Sequence, residues 1–156
     1  MPNHSIIDHL LPKACQWAAA QERRILSEGM PLSEAQIVDA RQVGVLCPDM
    51  VRVLYVREIP IPEDPILVTA ATAAGLFLRH SAGMSLRYGI YLRRDIDEER
   101  GTLIHELTHT AQYERLGGIL PFMQQYVAEC LTVGYTDCSL EQEAVETTDR
   151  VLRQNT

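Results

Sequence analysis

The sequence predicts an α+β domain, and three observations carry that prediction. Segments rich in β-branched and aromatic residues, at 51–56 and 86–93, read as strands in both halves of the chain. Five other segments place apolar residues at helical spacing or begin and end on capping residues, glycines and prolines. The 156 residues contain no internal repeat, no low-complexity tract and no Gly/Ser linker, so 1–156 is read as a single domain. Within it, residues 1–83 form a helical and strand scaffold, and residues 84–156 a core that carries the chemistry. A chain of this length buries roughly two thirds of its unfolded surface.

The first helix is expected from Pro12 to Glu28, with Cys15, Ala18, Ala19 and Ile25 on its apolar side. Gly29 stops it and Pro31 follows. A second helix starts after Ser33 and carries Ile37, Val38 and Ala40. Val51 to Val56 is a strand, and the three prolines between Ile59 and Pro65 make an extended connection. Residues 66–82 fit a buried helix or a pair of strands equally well. Leu86 to Arg93 is predicted as one half-buried strand, with Leu86, Tyr88, Ile90 and Leu92 inward and Arg87, Tyr91 and Arg93 outward. Asp95 and Glu98 mark the start of a helix running to Leu116, which Gly117-Gly118 ends. Pro121 and Gly134 frame the next helix. Ser139 and Gln142 form a capping box for the last, to about Val151.

Composition excludes several classes of function. Fourteen basic against 21 acidic residues give a net charge of −7, which argues against binding a phosphate backbone, and no basic helix is present for reading DNA. The longest uncharged apolar run, Ile66 to Leu78, falls short of the roughly 20 residues of a membrane span. The first residues lack the features of a signal peptide, so the expectation is a cytoplasmic protein with reduced thiols. Cys15, Cys47, Cys130 and Cys138 have no finger-type zinc spacing; only Cys130 and Cys138 lie near enough in sequence to close a short loop.

The chemistry concentrates in His105-Glu106-Leu107-Thr108-His109. Positions four apart on a helix differ by about 40° around its axis, so both imidazoles project from one face and can reach one tetrahedral ion. Glu106 lies on the same side, placed to take a proton from a zinc-held water. The pattern is expected by chance in roughly 0.01 of chains with this composition. A catalytic zinc takes three protein ligands and leaves one position open. No histidine follows His109, so the third ligand must be a downstream carboxylate.

The run HELTHTAQ, residues 105–112, resembles the active-site helix of zincin metallopeptidases. The longer run to Tyr126, followed by Gly134-Tyr135 and Leu140-Glu141-Gln142-Glu143-Ala144, resembles small bacterial proteins of metallopeptidase type. The resemblance covers roughly residues 84–150. It implies a minimal zincin-like domain of the gluzincin kind, in which an active-site helix gives two histidines, a strand flanks the cleft and a C-terminal helix gives a glutamate. Glu143, in its Gln-Glu-Ala setting, is the favoured third ligand. Glu129, twenty residues past His109 as in thermolysin-like gluzincins, is the alternative. Thr147 stands where that family's pattern has an Asp. Glu141 and Glu146 share the last helix, and Glu146 and Gln112 are placed to support the ligands.

The remaining positions are read with less weight. Tyr135 is the preferred donor to a substrate oxyanion, with Tyr126 also available. Arg87 or Arg93 is in position to meet an acidic group of a substrate lying along the strand. His4, His9 and His80 have no ligand spacing. The functional expectation is a zinc-dependent metallopeptidase with one Zn²⁺ per chain and Glu106 as general base on a peptide or protein substrate. The alternative is a catalytically silent zinc-binding interaction module that keeps the motif.

Overall fold

The computed structural model describes residues 4–75 and 81–154. His80, the end of the Ile66–Leu78 run, residues 1–3 and the side chain of His4 lie outside the described residues. The structure is α+β. Helix α1 (His4–Glu28) leads to β1 (Met30–Pro31), α2 (Glu34–Gln42), a 3₁₀ turn (Pro48–Met50), β2 (Arg52–Val56) and α3 (Pro65–Ala73). The hairpin β3 (Gly83–Leu86) and β4 (Gly89–Arg93) comes next, then α4 (Glu99–Leu116), α5 (Ile119–Val133) and α6 (Ser139–Gln154). No helix among the described residues is long and apolar enough to cross a membrane.

The four strands are ordered β1-β2-β4-β3, with β2 and β4 parallel and both outer pairings antiparallel. The central strand β4 is covered on both faces. Ile90 and Leu92 join Val51, Val53, Leu103, Leu107 and Ala111 beneath α2 and α4, while Tyr91 packs with Leu86, Ala18 and Ile25 of α1. The expected outward face of 86–93 is therefore corrected. Tyr91 is fully buried, because α1 lies across it, and its hydroxyl donates to Gln21 Oε1 at 2.6 Å.

The single strand expected at 86–93 is a hairpin, turning at Arg87-Tyr88 with Arg87 at φ 62°. Glu22 of α1, 3% exposed, holds that turn. It accepts two hydrogen bonds from the Arg87 guanidinium at 2.7 and 2.8 Å and one from the Tyr88 backbone N–H at 3.0 Å. The hydroxyl of Thr110 donates to the Arg87 carbonyl at 2.7 Å. Arg87 is thus committed to the fold, and Arg93 pairs with Asp95 at 2.9 Å, so neither is set aside for a substrate.

Three other boundaries differ from expectation. α1 begins two turns before Pro12, because Leu10, Ala14 and Ala18 continue one buried stripe through it. Gly29 ends α1 less by a left-handed turn than by close approach, since a Cβ there would lie 2.9 Å from the Val53 carbonyl oxygen. Asp95, committed to Arg93, does not cap α4, which starts at Glu99. The ambiguous 66–82 segment resolves, for residues 65–73, to a helix capped by the Asp64 carboxylate, which accepts from the Ile66 and Leu67 N–H groups.

Candidate metal centre

Helix α4 is buried along most of its length, from Leu103 to Tyr113, because it packs under the sheet, α5 and α6 together. Its left-handed stop at Gly117, φ 105°, lets α5 fold back directly. On the face turned to α6, the His105 and His109 rings stand with centroids 5.0 Å apart.

The carboxylate that meets them is Glu141. Its Oε1 lies 3.0 Å from His105 Nε2 and its Oε2 3.0 Å from His109 Nε2. One ligand atom from each of the three residues falls within 4.8 Å of the others, a group close enough to hold a metal ion. The assignment of Glu143 is corrected by this geometry. α6 buries Leu140, Glu141, Ala144, Thr147, Thr148 and Val151 on its inner face. Two residues on from Glu141 is about 200° around a helix, so Glu143 emerges on the flank. There it pairs with Arg115 at 3.1 Å and accepts from Gln112 Nε2 at 2.9 Å. Glu129 is not at the centre either. It accepts the Ser139 hydroxyl at 2.7 Å and the Ser139 N–H at 3.1 Å, tying α5 to the start of α6. Ser139 is the first residue of α6 and Gln142 N–H bonds the Cys138 carbonyl, so the expected Ser139–Gln142 capping box does not form. Glu146 is exposed.

The ligand side chains are held from behind. Gln112, fully buried, donates through Nε2 to the Leu140 carbonyl at 2.9 Å, which turns its Oε1 to His109 Nδ1 at 2.7 Å. That contact places the proton on Nδ1 and directs Nε2 at Glu141. Tyr126 donates to Glu141 Oε2 at 2.6 Å, and the Tyr135 hydroxyl lies near the same carboxylate. Burial would lower the His109 pKa, but the hydrogen bond and charge of Glu141, with Glu106 beside it, push it up to about 9. Burial acts to raise the Glu141 pKa, and hydrogen bonds from His105, His109 and Tyr126 overcome it, holding the carboxyl well below its ordinary range.

Glu106 is 7% exposed and accepts from the Ser85 backbone N–H. Burial raises its pKa against the opposing pull of His105 and His109. Gly83 makes room for it, since a Cβ there would stand 3.0 Å from the Glu106 Cγ. The pairing of Gly83 with Leu92, beside the Arg93 N–H to Ala82 carbonyl bond, turns the Gly83 peptide groups away from β4 toward the outer edge. Tyr135 lines the same opening.

Of the residues expected at the site, His105, Glu106, His109, Gln112, Tyr126 and Tyr135 come together, while Glu143 and Glu129 do not. Glu141 and the Ser85 amide are the participants the sequence reading did not assign. The signal for Glu141 was present in its spacing from Ala144, Thr148 and Val151, the inward stripe of the last helix. No known protein family, curated protein or solved structure matches the chain.

Proposed function

We propose that this protein is a zinc-dependent metallopeptidase of zincin-like architecture, acting on a peptide or protein substrate. The observation that carries the reading is the convergence of His105, His109 and Glu141, with Glu106 buried beside them and facing the same opening. Two imidazole nitrogens and one carboxylate suit zinc better than the harder cations, which favour all-oxygen sites. Zinc held there would supply a water acidic enough to ionise near neutral pH and a Lewis acid for a substrate carbonyl.

The chain's own groups then have distinct tasks. Glu106 takes the proton from the attacking water and passes it to the leaving amine. The Ser85 N–H keeps the Glu106 carboxylate in place. Tyr135 is assigned as donor to the oxygen of the substrate carbonyl. The outward Gly83 peptide groups pair with an extended segment of substrate lying along β3, rather than along Leu86 to Arg93 as the sequence reading expects.

The test is a metal assay and a peptide-library assay on the wild-type chain and on Glu106→Gln. The expected result is about one zinc per chain in both, with hydrolysis reduced on the order of 10²–10⁴-fold in the variant. Full activity in Glu106→Gln would overturn the mechanism. Bound zinc with no hydrolysis across the library would leave the silent zinc-binding module as the surviving account.

A further inference from the structure

We propose that the apolar cavity beside the histidines is the subsite for one bulky, uncharged aliphatic or aromatic side chain of the substrate, walled jointly by α1 and α3 from the N-terminal half and by β3 and α5. The proposal rests on the peptidase reading of the His105–His109–Glu141 group and specifies what that site selects.

The cavity has a volume of about 620 Å³ and opens onto His105, Glu106, His109 and Glu141. Pockets of about 300–1,000 Å³ are the size that encloses small ligands. Its walls come from Leu10 and Trp17 of α1, Leu67 of α3, Met84 of β3, and Val127 and Leu131 of α5. Among the described residues lining it, the only ionisable acids and bases, tyrosines and Cys130 aside, are the four at the histidine end. A charged side chain pushed past them would lose its hydration with no partner to replace it.

The other side of the same residues is different. A second cavity, of about 440 Å³, shares Ser81, Gly83, His105, Glu106 and Tyr135 with the first. It continues toward Glu98, Thr102, Thr148 and Asp149. The cleft is therefore asymmetric: deep and apolar toward α1, α3 and α5, polar toward the start of α4 and the middle of α6. A segment extended along β3 sends one side chain toward the apolar end, while the other side of the scissile bond faces polar groups. Residues 1–83, assigned no chemistry by the sequence, supply the α1 and α3 side of the wall, facing β3 and α5.

Trp17 is the only tryptophan in the chain and it lines the cavity, so its emission reports occupancy whether or not hydrolysis takes place. The experiment titrates full-length protein, metal-free and zinc-loaded, with capped dipeptides Ac-Gly-Xaa-NH₂, where Xaa is Gly, Ala, Val, Leu, Phe or Lys. The dissociation constant is expected to fall about fourfold per added methylene from Ala to Leu, with Lys no better than Gly. Val127→Phe, which fills the cavity, should flatten that dependence while metal content stays at the wild-type value. Leu131→Ala should move the preference from Leu toward Phe, and it decides the matter if Val127→Phe fails to fold.

Equal affinities across the series, or wild-type preference in the folded filling variant, would overturn the proposal. Efficient hydrolysis with no apolar preference on either side of the scissile bond would also overturn it and leave the peptidase reading standing. The graded affinities without hydrolysis of any peptide would support the pocket and remove the peptidase reading.

Discussion

Two buried carboxylates, Glu22 at the β3–β4 turn and Glu141 between α6 and α4, are solved in different ways. Glu22, 3% exposed, meets a guanidinium in a two-pronged pair and a backbone N–H. Glu141, 5% exposed, meets two imidazole nitrogens and a phenol. Arginine is a permanent cation, so the Glu22 pair is electrically complete in any state of the protein. Imidazoles carry charge only when a proton is added, and a neutral ring offers a nitrogen lone pair to a metal ion. The first arrangement is a brace. The second is a set of donors close enough together to hold a metal ion, and this difference in partner separates two otherwise similar acids.

The comparison breaks most sharply at Glu141. Glu141→Ala should lower zinc affinity by more than the roughly 10–100-fold that losing a supporting partner costs, while Glu143→Ala leaves zinc stoichiometry at the wild-type value. Equilibrium dialysis of both variants checks this, and the reverse pattern would restore Glu143 as the ligand. Glu22→Ala should do the opposite, destabilising the fold by about 3 kcal/mol with zinc content unchanged, as read from urea unfolding. That figure is the low end for a broken buried pair because the Arg87 side chain is 39% exposed and regains water. Gln112→Leu sits between the two regions. It should leave the fold intact and weaken zinc about 10–100-fold by freeing the His109 ring.

The smallest effect belongs to a half-buried carboxylate. Asp64 is held below the ordinary carboxylate range, first by its hydrogen bond from Lys13 and then by the Leu67 and Ile66 N–H groups. A lowered folded-state pKa stabilises above the ordinary value and is lost as pH falls through the lowered one. Asp64→Asn should therefore remove a small stabilisation present at neutral pH and flatten its loss below about pH 4, as read from urea unfolding at several pH values, while leaving zinc binding alone.

What was legible in the sequence was local. The α4 motif, the helix stops at Gly117 and Gly134 and the helical end of the chain follow from spacing and from residues that act within a turn or two of themselves. What escaped reading was set at long range. The β3–β4 turn uses Arg87-Tyr88, with none of the Asn-Gly chemistry that marks such turns. Its left-handed Arg87 is held by a glutamate 65 positions earlier in the chain. Tyr91 looked solvent-facing because nothing near it in sequence says that α1 lies across it. Glu143 stands out in the sequence, ahead of Glu129, through its Gln-Glu-Ala likeness to a family pattern, whereas the helical period identifies Glu141 as the acid that faces inward.

The length of β3 has a consequence for association between molecules. An edge strand exposes a row of backbone donors and acceptors, and a long flat one templates pairing with further chains. Here the edge is four residues, and the outward groups of Ser85 are already taken, its N–H by Glu106 and its carbonyl by the Tyr113 hydroxyl at 3.3 Å. What is left around Gly83 is room for one short extended segment in one register. An edge that short recruits a guest strand and then gives a second sheet nothing to grow on.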